Sequence, residues 1–363
     1  MRILFVQSIG KKKYGGGERW AVNAAEGLQK KGHFVMMAAK KNGILYNEAQ
    51  RKDLPVYPIC INNDINLVQA YRLSRLIKKL NIEIIICKGR ELVVSGLAAR
   101  WAGNTLLIRR TGLPPSKHSN KLARRTKKYV DGVLTNTKTI QEIYQKHGFT
   151  DDNFVKVIYN GFSPDDSTPA FDFSQNYPGR RIILSAGRLE KRKGYYYLIE
   201  ALAKVKDTHP EALAYILGDG KEKERLKAYA KKLGAEDLVH FEGYVHNVIP
   251  YLKGAHMFAH IALSEGMPNA AMEALAFGKP LIITRVNGAE ELTDNGKYAE
   301  LIPAENASAI ADSIKKIIGN QEAYEETGAR ARKHVREKFS MQNMVNALER
   351  YLQEKLTLKK RQN

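Results

Sequence analysis

Two glutamates eight positions apart, Glu265 and Glu273, lie in the run Ser264-Glu265-Gly266-Met267-Pro268-Asn269-Ala270-Ala271-Met272-Glu273-Ala274-Leu275. Pro268 and Asn269 suit a helix start, proline in the first turn or asparagine as the cap. The small Ala270 and Ala271 let a ligand approach the first N–H groups of that helix. Glu273 then falls about one turn in, at the same end as the loop carrying Glu265, Gly266 and Met267. A second segment supplies cations: Gly187-Arg188-Leu189-Glu190-Lys191-Arg192-Lys193-Gly194 leads into the helical pattern YYYLIEALAKV. A glycine turn, several cations and a helix N-terminus suit a diphosphate. Arg188 can grip phosphate oxygens with its planar fork, and Lys193 can act as a point charge. Together the two segments suit a ligand carrying both hydroxyls and phosphates. Spacing alone leaves two plainer readings open: a pair of acids on a helix dipole, and a solvated basic turn.

The elements that must position these residues alternate. Strand patterns fall at 2–7, 33–39, 55–60, 82–87, 105–109 and 131–136, with helical patterns near 17–30, 65–80, 91–102, 118–130 and 137–147. Near-continuous apolar strands separated by helices predict a parallel sheet covered on both faces, wound as a Rossmann-like domain. The stretch 163–179, with three prolines and little periodicity, reads as a linker. The rhythm restarts at 181–186 and continues through 213–217, 238–241, 256–261, 280–284 and 299–302, then helices at 306–319, 321–337 and 341–357. The expected organisation is α/β throughout. An N-terminal Rossmann-like domain spans 1–162, and a second spans 180–340. A C-terminal helix and tail, 341–363, packs back on the first domain, and its last residues, LTLKKRQN, read as disordered. Ligands of such sheets bind outside the carboxyl ends of the strands, where both motifs fall.

Composition narrows the class. Of 363 residues, 44% are hydrophobic and 27% charged, an ordinary globular mixture with room for two cores. No apolar stretch approaches the roughly 20 residues of a membrane-spanning helix, and the N-terminus begins directly as a strand without a leader pattern, so a cytoplasmic protein is expected. Cys60 and Cys87 sit in or at the end of strand-like runs and read as reduced core thiols. The net charge of +21 is uneven: residues 1–162 hold 29 Lys and Arg against 11 Asp and Glu, residues 163–363 hold 30 against 27. That excess points to an anionic partner for the first half.

The segments GRLEKRKGYYYLIEAL, ILGDG (216–220), FEGYV (241–245), ALSEGMPNAAMEALAFGKPLIIT (262–284) and VNGAEEL (286–292) resemble glycosyltransferase family 4, as do YGGGERWAVNAAEGLQKKGHFV (14–35) and VIYNGF (157–162). The resemblance covers nearly the whole chain. It implies the GT-B architecture of two facing Rossmann-like domains with a cleft between them, and transfer from a nucleotide sugar with retention of configuration. By the same resemblance Arg188 and Lys193 hold the donor diphosphate and stabilise the leaving group. Glu273 matches the glutamate on the ribose hydroxyls and Glu265 the one on the transferred sugar. Gly187 and Gly218 belong to the donor loops, as do Gly266 to Ala271, and the amides of Asn269 to Ala271 meet diphosphate or sugar. Gly16 and Gly17 match a glycine pair beside donor and acceptor. Glu291 takes the acidic place of a G-G-x-x-E element whose first glycine is here Asn287, a mild departure because Asn tolerates positive φ. No D-x-D pair stands in a metal-binding setting, and the family needs neither metal nor cofactor. UDP is the default nucleotide only because the family uses it often.

The chain departs from the family after the fifth strand, where many members carry a histidine on the donor sugar. Here Ile108-Arg109-Arg110-Thr111-Gly112-Leu113-Pro114-Pro115 has none, so Arg110 or Thr111 takes the position, and His118 lies too far along. Arg109, Arg110, Thr111 and Glu91 are therefore candidate acceptor or sugar contacts. Just beyond, KHSNKLARRTKK (117–128) holds six Lys and Arg and no acid. Lys117, Lys121, Arg124 and Lys128 share a helical face, with Arg125 adjacent, a pattern suited to an anionic membrane surface or a phosphorylated glycolipid. The expectation is transfer of a sugar to an anionic cell-envelope glycolipid, lipopolysaccharide or polysaccharide precursor, at the inner face of the cell membrane. The alternatives are a nucleotide-sugar epimerase or a soluble disaccharide-forming transferase of the same fold. Nucleic-acid binding lacks any recognition motif or stacking aromatics in the basic patch, and no G-x-G-x-x-G follows the first strand for a dinucleotide.

Overall fold

A computed structural model of the protein describes residues 1–8, 15–63, 65–113, 126, 128–149 and 153–362. The chain forms two compact units, Met1–Gly161 with Met341–Asn363, and Phe162–Ser340.

In the first unit the described strands are β1 (Arg2–Gln7), β2 (Phe34–Ala39), β3 (Val56–Pro58), β4 (Ile84–Cys87), β5 (Leu106–Arg110), β6 (Gly132–Thr135) and β7 (Val155–Val157). They pair in parallel in the order β3-β2-β1-β4-β5-β6-β7. Side chains alternate between two cores. Ile3, Phe5, Ile84 and Ile86 meet the helix Gly16–Lys30, while Leu4, Val6 and Ile85 meet the helices Leu67–Lys79 and Leu92–Ala102. Burial on both faces is why these strands read as unbroken apolar runs. Strand β7 and the helix Ile44–Arg51 carry no clear sequence signal.

The second unit holds β8 (Arg181–Ala186), β9 (Ala212–Leu217), β10 (Val239–Gly243), β11 (Met257–His260), β12 (Leu281–Thr284) and β13 (Glu300–Ile302). These are parallel in the order β10-β9-β8-β11-β12-β13. The stretch 163–179, expected as a linker, is built into this unit. Phe171 stacks on Tyr251 with ring centres 4.6 Å apart, and Phe173 packs edge-on to Tyr215 at 5.0 Å. Aromatic burial outweighs the prolines there.

The disordered tail expected at LTLKKRQN is corrected: the last helix runs from Met341 to Gln362. Its Met344, Val345, Leu348, Tyr351 and Leu352 join the core of the first unit, and Lys359 Nζ donates to the Thr105 carbonyl at 3.0 Å. A Cβ on Gly27 would stand 2.3 Å from Val345 Cγ2, so this contact needs a glycine. Alanine would favour the helix by about 1 kcal/mol, but overpacking typically costs about 1–3 kcal/mol. Gly27→Ala should therefore melt a few degrees lower, and Gly27→Ala/Val345→Ala should lose less than the two single changes summed. Melting of Gly27→Ala at or above the wild-type temperature would show that the approach is not tight.

Candidate functional site

In the second unit the strand order reverses between β8 and β11, where a doubly wound sheet opens a crevice at its carboxyl edge. The loops leaving these two strands are joined by backbone. Leu263 donates to the Arg192 carbonyl at 2.8 Å, and Arg192 Nη1 to the Ser264 carbonyl at 3.3 Å. Gly194 makes the approach possible: its φ is +70°, and a Cβ there would lie 1.8 Å from the Ile261 carbonyl oxygen. The loop after β9 braces the same turn. Gly218, at φ +147°, presses on the Gly187 carbonyl, and Leu189 donates to the Asp219 carbonyl at 3.0 Å. Thr284, at the end of β12, donates to the Ala262 carbonyl at 2.5 Å and fixes the loop after β11.

These loops form a chain of alternating charge. Arg188 meets Glu190 at 2.8 Å, Glu190 meets Arg192 at 3.1 Å, Arg192 meets Glu265 at 3.5 Å, and Glu265 is ion-paired to Lys193. Burial pushes the Glu265 carboxyl up, but Lys193 above all, with Arg192, outweighs it and holds the carboxyl below its ordinary range. His260, the last residue of β11, has Nε2 3.7 Å from Glu265 Oε1. Burial, then Lys193, pulls its imidazole down to about 4, so it is neutral at pH 7. Arg188, by contrast, has a side chain 61% exposed and reaches toward solvent.

The helix Asn269–Ala276 begins directly after this loop. Pro268 is its N-cap, so the helix starts one residue earlier than an asparagine cap at 269 would need. Its first-turn amides, at Asn269 to Ala271, point out of the end as in any helix. Met267, Ala271 and Glu273 are buried, with Glu273 one turn in. Lys193 and Glu265 are thus brought into contact, while Gly187, Gly218, Gly266 and the Asn269–Ala271 turn occupy strand-end loops of the same unit. His260 lies in no motif, Arg192 is one cation among several in its turn, and Asn287 enters only as the replacement for a family glycine. Asn287 is absent from the positive-φ residues, where Gly288 stands at +76°, and its Nδ2 donates to the Glu265 carbonyl at 3.2 Å. Its place is a hydrogen bond, not a left-handed turn. Glu291 lies in the short helix Ala289–Thr293.

In the first unit the reversal falls between β1 and β4. Glu91 is 3% exposed and accepts the Ser8 amide at 2.9 Å, tying those two strand ends together; burial raises its pKa. Arg109 and Arg110 point to opposite faces of the sheet. Arg109 donates to Thr126 Oγ1 at 2.9 Å and faces Tyr144, which puts it in the helix-covered core and not at the strand end with Arg110. Arg110 stacks 4.7 Å over Trp20 and donates to Asn160 Oδ1 at 3.0 Å. Gly16 and Gly17 open the helix Gly16–Lys30, and Gly17 touches Lys88, itself ion-paired to Glu18. Thr111 Oγ1 bonds the Leu113 carbonyl at 3.0 Å. Lys117, His118, Lys121, Arg124, Arg125 and the Lys11–Lys13 run lie outside the described residues, and Lys128 is exposed. Both cysteines are free thiols.

The family profile described as Glycosyl transferases group 1 matches residues 166–334, and that of Glycosyltransferase Family 4 matches residues 14–166. The chain belongs to this family of glycosyltransferases. An uncharacterized glycosyltransferase of Haemophilus influenzae is 24% identical over 88% of this chain and 91% of its own length. The lipopolysaccharide core biosynthesis glycosyltransferase LpsE of Rhizobium meliloti is 28% identical over 47% of this chain and 48% of its own. The crystal structure of Anabaena HepE in complex with UDP-glucose superposes with a TM-score of 0.84 at 21% identity, covering 98% of this chain and 100% of HepE. The fold is GT-B.

The buried imidazole gives this glycosyltransferase a pH signature. The folded pKa of His260, about 4, lies below the ordinary 6.5, so as pH falls the unfolded chain takes up the proton first. Its contribution is complete above the unfolded value and is lost between about 6.5 and about 4, by at most ~3 kcal/mol. Glu265, with a lowered pKa, adds its own loss only below the ordinary 4.5. His260→Asn should flatten stability against pH in the upper window, measured by urea unfolding. Parallel wild-type and variant curves there would refute the buried neutral imidazole.

Proposed function

We propose that this glycosyltransferase transfers a hexose from a nucleoside-diphosphate sugar to a hydroxyl acceptor with retention of configuration and without a metal ion. The observation that carries the reading is the chain Arg188–Glu190–Arg192–Glu265–Lys193 at the strand-order reversal of the second unit, next to an open helix N-terminus. As the anomeric C–O bond breaks, negative charge collects on the leaving diphosphate. Arg188, Lys193 and the first-turn amides of the helix at Asn269 are the groups that would stabilise it. Glu265 would hold the sugar hydroxyls and Glu273 the ribose. The acceptor oxygen bonds the anomeric carbon on the face the diphosphate leaves, and its proton passes to a departing phosphate oxygen. The HepE complex with UDP-glucose supports a UDP-sugar donor.

The first unit takes the acceptor on this reading. Its excess of Lys and Arg favours an anionic glycolipid, and the likeness to LpsE supports a lipopolysaccharide or polysaccharide precursor. No described helix is long and apolar enough to cross a membrane. The basic run 117–128 favours contact with an anionic membrane surface.

A nucleoside diphosphate should raise the melting temperature, and Glu273→Ala or Arg188→Ala should remove most of that rise. Arg188→Ala should also slow transfer by about 10²–10³, the usual effect of losing one charge-stabilising donor. Nucleotide binding by both variants at the wild-type level would refute the donor site. Transfer should persist in excess EDTA; its loss on chelation and return with a divalent cation would overturn the metal-free reading.

A further inference from the structure

Arg110 is 6% exposed at the carboxyl end of β5, yet among the described residues no carboxylate lies within ion-pair distance of its guanidinium. Its contacts are neutral: Asn160 Oδ1 at 3.0 Å and the Trp20 ring at 4.7 Å. Lys88 is drawn into the same cluster, where Glu18 is ion-paired to it and Glu91 adds a weaker attraction. Burial lowers the pKa of Arg110 to about 10, and Glu18 opposes that only in part. A buried cation without a partner is costly, and a structure keeps one where an anion arrives.

Two glycines let these cations lie close against the backbone. A Cβ on Gly17 would stand 2.6 Å from Lys88 Nζ and 3.2 Å from Arg110 Nη1, and one on Gly112 would stand 3.1 Å from Arg110 Nη1. A side chain at either position would cover the guanidinium. Asn136 borders the same cluster, its Nδ2 3.3 Å from the Gly112 Cβ position. It is 4% exposed and its Oδ1 has no partner among the described residues. Of the five N–H donors of a guanidinium, the contact to Asn160 uses one.

We propose that Arg110 and Lys88, with Asn136 beside them and Gly17 and Gly112 sparing both cations a clash with a Cβ, bind an oxyanion, a carboxylate or phosphate, carried by a sugar substrate. The planar fork of Arg110 is suited to either group, bidentate to two oxygens. The proposal rests on the reading that the first unit handles the acceptor, and it names a charged sugar as that substrate.

The test is titration of the full chain, followed by melting temperature and calorimetry, with glucuronate, glucose 6-phosphate, inorganic phosphate and glucose. Wild type should respond to glucuronate or to glucose 6-phosphate and not to glucose; which anion binds tighter separates carboxylate from phosphate. Response to inorganic phosphate alone would show that the sugar is not part of the ligand and would overturn the proposal. Arg110→Gln should weaken the anion about tenfold or more, as expected for a charge-assisted bond, while the nucleoside-diphosphate response stays. Gly17→Ala keeps both charges and should also weaken the anion, so it carries the test if Arg110→Gln fails to fold. Equal anion binding by wild type, Arg110→Gln and Gly17→Ala would refute the site. Absence of a nucleoside-diphosphate response in wild type would refute the donor reading instead, leaving the anion result to stand alone.

Discussion

Glu265 keeps its charge at 12% side-chain exposure because cations from another loop surround it. Lys193 and Arg192 belong to the turn after β8, Glu265 to the loop after β11. Their ion pair therefore exists only where those two strands are neighbours, through Met257 opposite Ile183 and Phe258 opposite Leu184. That adjacency is the reversal of strand order. Gly194 is part of the same constraint, since any larger residue would push the Ile261 carbonyl, and with it the loop, away from the turn. Strand order, glycine and ion pair stand or fall together. Removing Lys193 would leave a mostly buried carboxylate with only the more distant Arg192, a greater loss than breaking a surface pair.

The same chain of charges arranges the cations before any ligand is present. Lys193 is fixed by Glu265, and Arg192 is shared between Glu190 and Glu265. Side chains already held lose less freedom on binding, so more of each contact appears as affinity. Arg188 differs, being exposed and anchored only at Glu190. On the donor-site reading it is the cation with reach, able to exchange a carboxylate for a phosphate at similar electrostatic gain. His260 contributes by staying neutral: a third positive charge would be repelled by both Lys193 and Arg192.

Where a residue acts through its own loop, the sequence shows it; where it acts through strand adjacency, it does not. Runs such as IIIC, RIILSA and LIIT are visible because parallel strands bury both faces, and Lys193 and Glu265 are visible in their motifs. His260, Arg192 and Asn287 matter only because β8, β11 and β12 bring their loops together, which no local pattern encodes. Phe171 and Phe173 sit among prolines and acids that read as a linker until Tyr215 and Tyr251 supply partners from elsewhere in the chain. The final helix was underestimated for the same reason, since Lys359 is fixed by Thr105 and Asp131, far away in sequence. Strand alternation does separate Arg109 from Arg110, but only the helices on each face decide which of them meets a strand-end cluster.

The charge excess of the first half acquires a physical location through its acids. Glu26 is taken by Lys30 and Lys52, Asp131 by Lys359, and Glu18 by Lys88. These carboxylates are committed to other partners, and Arg110 is left on an amide and an aromatic ring. Exposed lysines elsewhere on the unit raise the potential for any anion, but salt screens them over about 8–10 Å. A buried guanidinium is screened far less. The diffuse excess can draw an anionic substrate toward the unit, whereas orientation at the strand ends requires a fixed, directional donor, and Arg110 has the burial and the planar geometry for it.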